Sequence, residues 1–160
     1  VERGEIAVFA TDELCTSYAV KTAGRHITDV TGGNTGVEPR MAIVFTEVVS
    51  SRNLGLERFV EVTSANAAKI MGLYPRKGVI AVGSDADLVV LDPRTETVIR
   101  SENLHESDYT PWEGWKVTAW PVATVLRGQV VVERGRFMGS QPSGQLIPRA
   151  VLPEVRRGVL

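Results

Sequence analysis

The sequence predicts a chain in two structural parts, an α/β part followed by a β part. Residues 6–10 are a short, continuous apolar run, which is typical of a strand buried on both faces of a parallel sheet. Residues 37–72 carry apolar side chains at helical spacing, whereas the chain beyond residue 86 has short apolar runs separated by turn residues. The two parts meet in residues 73–93, where a helix that ends at a glycine is followed by a turn and a strand.

Three helices are expected before this junction. The first begins near Pro39, because proline fits the first turn of a helix. The second spans residues 56–62, and Thr63 with Ser64 is expected to cap a third helix that ends at Gly72. The helical side chains expected to face a core are Met41, Val44, Phe45, Val48, Leu56, Phe59, Val60 and Val62.

The second part is predicted to consist of short strands. A turn is expected at residues 83–86, since glycine frees the backbone there and Ser and Asp bond their own main chain. Residues 88–91 are predicted to form a buried strand that stops at an Asp-Pro pair. A hairpin is predicted between residues 122–126 and 130–133, whereas a Trp-Pro pair just before it is expected to break the chain's strand. Four aromatic side chains are expected to lie in the core of the β part and to cover its interface: Tyr109, Trp112, Trp115 and Trp120.

The composition excludes several classes of function. The chain has 160 residues, of which 43% are hydrophobic and 23% are charged, and this balance predicts a folded chain rather than a disordered one. A net charge of −1 argues against a nucleic-acid or membrane surface, and no apolar run approaches the roughly 18 residues of a membrane span. Cys15 is the only cysteine, so no internal disulfide is possible, and a reducing, cytoplasmic location is predicted.

Asp12 is the first candidate for a functional residue. It follows directly after the apolar run and Thr11, and barrel enzymes place their chemistry just beyond the carboxyl ends of such strands. The alternative is that Asp12 only turns the chain after the strand. Nearby Cys15 is expected to be a small buried side chain rather than a nucleophile, because no base can be placed beside it.

Residues 18–34 are predicted to form a loop that is rich in Thr and Gly. Loops of this length in compact domains are often functional, and the glycines of residues 31–36 permit close backbone approach to another group. The alternative is a flexible surface loop. Phosphate-binding glycine patterns are absent. His26 and His105 are isolated from one another in the sequence, so neither is expected to ligate a metal ion.

The junction between the two parts carries a recognisable motif. Residues 72–78 are Gly-Leu-Tyr-Pro-Arg-Lys-Gly, and residues 81–89 are Ala-Val-Gly-Ser-Asp-Ala-Asp-Leu-Val. The second stretch resembles the metal-dependent amidohydrolases in general, and the first resembles their dihydropyrimidinase/hydantoinase branch. The resemblance extends to about Gly139 and covers the last third of a family enzyme. It therefore implies that this chain is the C-terminal segment of a longer cyclic amidohydrolase.

The resemblance implies an incomplete fold. Residues 1–75 are expected to be the last strand, the substrate loop and the C-terminal helices of a (β/α)8 barrel. Residues 76–138 are expected to be the C-terminal part of a small β-sandwich, followed by an extended tail over residues 139–160. Family tails reach over a neighbouring subunit, so a homo-oligomer, either a tetramer or a dimer, is expected.

The resemblance also implies roles for three residues. The last barrel strand of the family ends in an aspartate that ligates one of two metal ions and shuttles a proton, and the matching residue is Asp12. Glu13 follows it where the family usually has a histidine. In the family's substrate loop the main chain of an asparagine hydrogen-bonds the cyclic amide. The aligned position is Gly32, and a small shift in register would place Asn34 there instead.

The implied activity is hydrolysis of the cyclic amide bond of dihydropyrimidines or hydantoins to N-carbamoyl amino acids. The family enzyme uses two divalent metal ions, expected to be zinc, and its other ligands are histidines and a carbamylated lysine that this sequence does not match. The remainder of the barrel is therefore an expected partner, and the chain alone is expected to be inactive. The alternative is a non-catalytic scaffold protein related to dihydropyrimidinase. Asp12 favours an enzyme, because the scaffold branch has typically lost this residue.

Overall fold

The computed structural model describes residues 1–139, 144–158 and 160. The helical elements of these residues are α1 (Tyr18–Lys21), α2 (Val37–Phe45), α3 (Gly55–Val60), α4 (Asn66–Ile70) and α5 (Pro153–Arg156). Single 3-10 turns occur at Ile27–Asp29 and Ser101–Asn103. Two π-helical segments lengthen the helices, one after α2 (Thr46–Ser51) and one between α3 and α4 (Glu61–Ala65). None of the helices in the described ranges is long and apolar enough to cross a membrane.

The strands form two antiparallel sheets. They are β1 (Leu88–Asp92), β2 (Thr97–Val98), β3 (Lys116–Val117), β4 (Trp120–Leu126), β5 (Gln129–Glu133) and β6 (Arg136–Phe137). The larger sheet has the order β1-β4-β5-β6, and β2 pairs with β3 in the smaller one. The helical part therefore precedes the β part along the chain, as the residue pattern predicts.

Helix α2 lies at the centre of the fold because two of its faces are buried. One face carries Val44 and Phe45, which pack with Val48, Phe59 and Val62 from the following helical segments. The rings of Phe45 and Phe59 meet edge to face, with their centroids 5.4 Å apart, a favourable arrangement for two aromatic rings. The other face carries Ala42 and Ile43, which pack against Ile99 and Val117 of the smaller sheet. Helix α2 thus joins the two parts of the chain.

The prediction of buried helical side chains is confirmed for α2 and is wrong for two positions in α3. Leu56 is 57% exposed and Val60 is 48% exposed. Leu56 and Val60 are four residues apart and so share one face of the helix, and this face is turned away from the core in which Phe59 and Val62 are buried. The chain does not break after Val60, since the π-helical segment continues it into α4. Thr63 lies inside this segment and donates to the carbonyl of Phe59 at 2.6 Å, so it is not the predicted helix cap.

The predicted strand over residues 6–10 is not paired in a sheet. Its backbone bonds instead to the helical part: the Phe9 amide donates to the Val62 carbonyl at 2.9 Å, and the Asn66 side chain donates to the Ala7 carbonyl at 3.0 Å. No parallel strand lies beside it within the described ranges, and a strand needs such a neighbour to complete its hydrogen bonds.

Strand β1 confirms the predicted strand after the turn, but two of its side chains are not buried. Val89 and Val90 are both exposed; because successive side chains of a strand point to opposite faces, neither face of β1 is fully covered by the described residues. Pro121 lies within β4 rather than breaking it. It pairs with Leu91 at a register shift, where the ladder is irregular and proline is tolerated.

The hairpin from β4 to β5 is confirmed. Arg127 and Gly128 form its two-residue turn with φ of 49° and 81°, the positive values that such tight hairpins require. A second turn of the same kind, formed by Arg134 and Gly135, connects β5 to β6 and was not predicted.

The junction between the two parts is held by charged side chains. Lys77 lies 2.8 Å from Asp85 and also contacts Asp87, and Arg76 lies 3.0 Å from Asp85. The tail returns to the same region, since the Ala150 amide donates to the Gly72 carbonyl at 2.8 Å. Residues 140–143 and 159 of the predicted tail lie outside the described residues.

Candidate active-site loops

The segment that contains Asp12 is connected by its backbone to residues 31–36, called here the glycine-rich loop. The Asn34 amide donates to the Asp12 carbonyl, and the Leu14 amide donates to the Asn34 carbonyl, both at 3.3 Å. These two bonds form an isolated parallel bridge between Glu13 and Asn34. The structure thus brings together two of the predicted site residues, Asp12 and Asn34, through their main chains.

Gly33 is required for this bridge. Its φ is +67°, and a Cβ atom added there would lie 2.3 Å from the Asp12 carbonyl oxygen and 2.8 Å from the Leu14 Cβ. Contacts this short do not occur between real atoms, so a side chain at this position would separate the two loops. The neighbouring Gly32 has open space around it.

The predicted site residues share no contact through their side chains among the described residues. Asp12, Gly32 and Asn34 are all exposed. The carboxylate of Asp12 makes no hydrogen bond or ion pair to any residue of the described ranges. A carboxylate in this condition remains available to bind a metal ion, a proton or a substrate group.

Two carboxylates hold the beginning of α2 beside these loops. Glu13 accepts a hydrogen bond from the Val37 amide at 3.0 Å, and Glu106 accepts one from the Glu38 amide. The first amides of a helix lack partners within the helix, and negative charge is favourable there. Sequence comparison treats Glu13 only as a departure from the family pattern, whereas the structure gives it this anchoring role.

Burial raises the pKa of Glu106, and the nearby charges of Glu13 and Glu38 raise it further. One of its carboxylate oxygens is buried and has no hydrogen-bond partner among the described residues. Glu38 in turn accepts a bond from the His105 amide at 2.8 Å and lies 3.0 Å from the His105 ring. His105 is therefore a hydrogen-bonded surface group, which agrees with its interpretation from the sequence.

The stretch from Glu106 to Thr110 supports the site from the β part of the chain. The Ser107 hydroxyl donates to the Thr16 carbonyl at 2.6 Å, and Asp108 accepts a bond from the Tyr18 amide at 2.7 Å. The Thr35 hydroxyl then donates to the carbonyl of Tyr109, at 3.1 Å. These partners are 74 to 91 residues apart in the chain, so no local sequence pattern indicates them.

Cys15 is exposed, and the prediction that it is buried is wrong. The chain leaves the helical core after Thr11 and runs across the surface, so side chains on this stretch remain in contact with water. The Cys15 thiol donates to a Glu13 carboxylate oxygen at 3.0 Å. This bond raises the pKa of the thiol, which disfavours the reactive thiolate.

The described residues do not form a metal site by themselves. Within residues 1–139, 144–158 and 160, no three His, Cys, Asp or Glu side chains lie close enough together to hold a metal ion. Asp12 offers one carboxylate, a common ligand for divalent ions, and a complete site needs further ligands from elsewhere.

A cavity of about 510 Å³ lies on the helix side of the Asp12 segment. Its lining includes Thr11, Asn34, Arg40, Trp112 and Trp115. Asp12 and Gly32 are not part of this lining. Of the three predicted site residues, only Asn34 therefore contacts the cavity.

A comparison with protein-family models identifies the family. The model described as "Amidohydrolase family" matches residues 1–131. The chain belongs to the amidohydrolase family. This result confirms the resemblance noted in the junction motif.

Curated amidohydrolase relatives have consistent names. A "D-hydantoinase" of Geobacillus stearothermophilus is 39% identical over 153 residues, which cover 94% of this chain and 32% of that protein. A "D-phenylhydantoinase" of Escherichia coli O1:K1 / APEC is 38% identical over 152 residues, covering 93% of this chain and 33% of the relative. The chain thus spans about a third of the length of these amidohydrolases.

Solved amidohydrolase structures share the fold of the chain. A "D-Hydantoinase (Dihydropyrimidinase)" from Thermus sp. matches with a TM-score of 0.87 at 38% identity, over 94% of this chain and 33% of that one. An "L-Hydantoinase (Dihydropyrimidinase)" from Arthrobacter aurescens matches with a TM-score of 0.64 at 39% identity, over 72% of this chain and 26% of the other. The helices and sheets described above are therefore an arrangement found within amidohydrolase enzymes.

Proposed function

We propose that this chain is part of an enzyme that hydrolyses the cyclic amide bond of dihydropyrimidines or hydantoins to give N-carbamoyl amino acids. The observation that supports this most directly is the exposed Asp12 carboxylate, which no described residue pairs with. Asp12 is also joined through its main chain to the glycine-rich loop. The names of the relatives, D-hydantoinase and D-phenylhydantoinase, support the same substrate class.

In this proposal the chain supplies the last third of the enzyme. Residues 1–75 complete a (β/α)8 barrel, residues 76–138 complete a β-sandwich, and residues 139–160 form a C-terminal tail in a homo-oligomer. The single neighbour of β1 and the unpaired segment over residues 6–10 are consistent with this arrangement, since both present backbone groups that further strands would bond. The remainder of the barrel is then the partner that completes the site.

Asp12 has two tasks in the proposed reaction. Its carboxylate is one ligand in a site for two divalent ions, which we propose to be zinc; when bound, such ions polarise the amide carbonyl and acidify the attacking water. Asp12 accepts the proton that the water loses on attack and donates it to the leaving nitrogen. An unpaired, exposed carboxylate suits both tasks, because no bond to a neighbouring side chain has to be broken first.

The glycine-rich loop is proposed to orient the cyclic ureide. The peptide between Gly32 and Gly33 has no hydrogen bond to the described residues, so its N–H and C=O groups can bond the amide groups of a ring. Asn34 is the alternative binding position, but its amide already bonds Asp12. This difference favours Gly32 as the main-chain contact.

Turnover by the full-length protein that contains this chain tests the proposal. The metal-loaded protein is incubated with dihydrouracil, hydantoin and 5-phenylhydantoin, and the N-carbamoyl products are quantified. Asp12→Asn is expected to lower kcat by about 10²- to 10⁴-fold, the usual range for a lost acid-base group. Glu96→Gln, a change at another exposed carboxylate, is the matched control and should retain activity.

The outcomes separate the enzyme from the scaffold alternative. Absence of turnover of every ureide by a correctly folded, metal-loaded wild-type protein would exclude the proposed activity and favour the scaffold. Full activity of Asp12→Asn would instead support the proposed activity but show that Asp12 has no role in the chemistry. The 160-residue chain by itself is expected to be inactive, and measurable hydantoin hydrolysis by it would contradict the proposed division of the site.

A further inference from the structure

Lys21 makes the most specific contact that the proposed reaction leaves unexplained. It is the last residue of α1, and its side chain is half-buried. Its ammonium nitrogen, Nζ, lies 2.5 Å from the Thr31 carbonyl oxygen and 2.5 Å from the Gly33 carbonyl oxygen. A single charged group therefore holds two carbonyls of the glycine-rich loop.

The position of these carbonyls in the backbone is informative. They belong to the two peptide groups on either side of the Gly32–Gly33 peptide, the one proposed to contact substrate. The Gly33 carbonyl shares its peptide group with the Asn34 amide, which bonds the Asp12 carbonyl. Lys21, the loop and the Asp12 segment thus form one continuous set of backbone contacts.

Helix α1 is itself fixed in place, so it provides a firm base for Lys21. The Ser17 hydroxyl accepts a hydrogen bond from the Val20 amide at 3.4 Å and caps the helix. The Tyr18 amide donates to Asp108 of the β part, and the Tyr18 ring packs edge to face on the Tyr109 ring. The ammonium group therefore reaches the loop from a segment that the rest of the fold holds.

We propose that Lys21 is a positioning residue for substrate binding by the loop main chain, an inference that rests on the proposed function. Loops rich in glycine lose a large amount of conformational entropy when they become ordered, and two charge-assisted bonds offset this loss. The two carbonyls flank the Gly32–Gly33 peptide, so holding both of them also fixes the direction in which the N–H and C=O groups of that peptide point. Lys21 then both orders the loop and orients the peptide that is proposed to face the ring.

Hydrogen exchange in the full-length protein that contains this chain tests the contact without any enzymatic assay. Lys21→Met removes the donors but keeps a long side chain, Lys21→Arg keeps the charge, and Lys116→Met is a control at an exposed lysine on β3. The amides of Leu14 and Asn34 are expected to exchange at least about tenfold faster in Lys21→Met, since local opening becomes easier. They should remain close to wild type in the other two variants.

Kinetics of the full-length protein test the role in binding. Lys21→Met is expected to raise KM for hydantoin by about tenfold with a smaller change in kcat, as a lost binding interaction does, and Lys21→Arg should restore most of the loss. Unchanged exchange of Leu14 and Asn34 in Lys21→Met would overturn the contact. Faster exchange with unchanged KM and kcat would overturn the positioning role. A wild-type protein that turns over no ureide would refute the proposed function alone, because the exchange experiment would still report on the contact.

Discussion

Replacing Gly33 by alanine is the sharpest test of how the two loops are joined. The new Cβ would lie 2.3 Å from the Asp12 carbonyl oxygen and 2.8 Å from the Leu14 Cβ, and the residue would have to keep a φ of +67°. The backbone must therefore move, and the two bonds between Asp12, Leu14 and Asn34 have to lengthen or break. Gly32→Ala is the matched control, since nothing lies within 4 Å of its added Cβ.

The expected cost follows from these contacts. A left-handed conformation costs a residue other than glycine roughly 1–2 kcal/mol, and each of the two lost hydrogen bonds costs about 0.5–1.5 kcal/mol. The bridge should therefore be weakened by about 2–5 kcal/mol. The measured loss cannot exceed the free energy that wild type needs to open these loops, because the loops can separate while the core remains folded. Gly32→Ala should change stability by less than about 1 kcal/mol, and it can stabilise by restricting the unfolded chain.

Amide hydrogen exchange followed by NMR measures both effects. In Gly33→Ala the amides of Leu14 and Asn34 should lose protection, while amides in the α2 core keep theirs. In Gly32→Ala both sets should exchange as in the wild type. Equal protection of Leu14 and Asn34 in the two variants would show that Gly33 is not the residue that allows the loops to meet, and the geometry inferred for the site would be wrong.

Two further predictions concern the carboxylates around α2. A raised pKa means that protonated Glu106 favours the folded state, so this stabilisation is complete below the ordinary value of 4.5 and is lost as pH rises through the raised pKa. Glu106→Gln should thus unfold at a higher temperature than wild type at pH 7. The gain in free energy of unfolding should be no more than about 1 kcal/mol, because water screens this partly exposed group, and it should disappear below pH 4.5. A less stable variant at pH 7 would mean that the attraction between the Glu106 charge and the beginning of α2 outweighs the cost of burying that charge. Glu13→Gln should lower the pKa of Cys15, because it weakens the hydrogen bond to the thiol and removes the negative charge, both of which raise that pKa. Iodoacetamide should therefore label the thiol faster at pH 8 than in wild type, and an equal or slower rate would contradict the contact. Glu5→Gln, at an exposed glutamate, is the control.

Local patterns in the sequence were sufficient for only some of the regular elements. The buried positions Val44, Phe45 and Val48 follow from helical spacing, and the hairpin turn at Arg127 and Gly128 follows from the need for positive φ. The positions of Leu56 and Val60 were wrong because apolar residues occur on more than one face of α3, and helical spacing alone does not show which face meets the core. The prediction of a buried strand over residues 6–10 was wrong for another reason. An apolar run indicates a strand, but it does not show whether neighbouring strands are present.

The support of the site was largely beyond local patterns. Asp12 and the glycine-rich loop were recognisable because a carboxylate after an apolar run and a cluster of glycines are visible in short windows. The roles of Glu13, Lys21 and Glu106 were not, since each depends on a backbone group at a distant or irregular position. A polar stretch such as residues 102–108 resembles ordinary surface until its partners across the fold are known.

The contacts of Ser107, Asp108 and Tyr109 with the site loops have a practical consequence for protein engineering. Residue 75, the predicted boundary between the two parts, would be an obvious crossover point for recombining the helical part of one hydantoinase-like protein with the β part of another. Such a chimaera would combine loops from one parent with the segment that holds them from the other. Exchanges that keep residues 12–36 and 105–110 from the same parent should preserve the loop conformation, whereas a simple cut at residue 75 would place mismatched residues against Thr16, Tyr18 and Thr35.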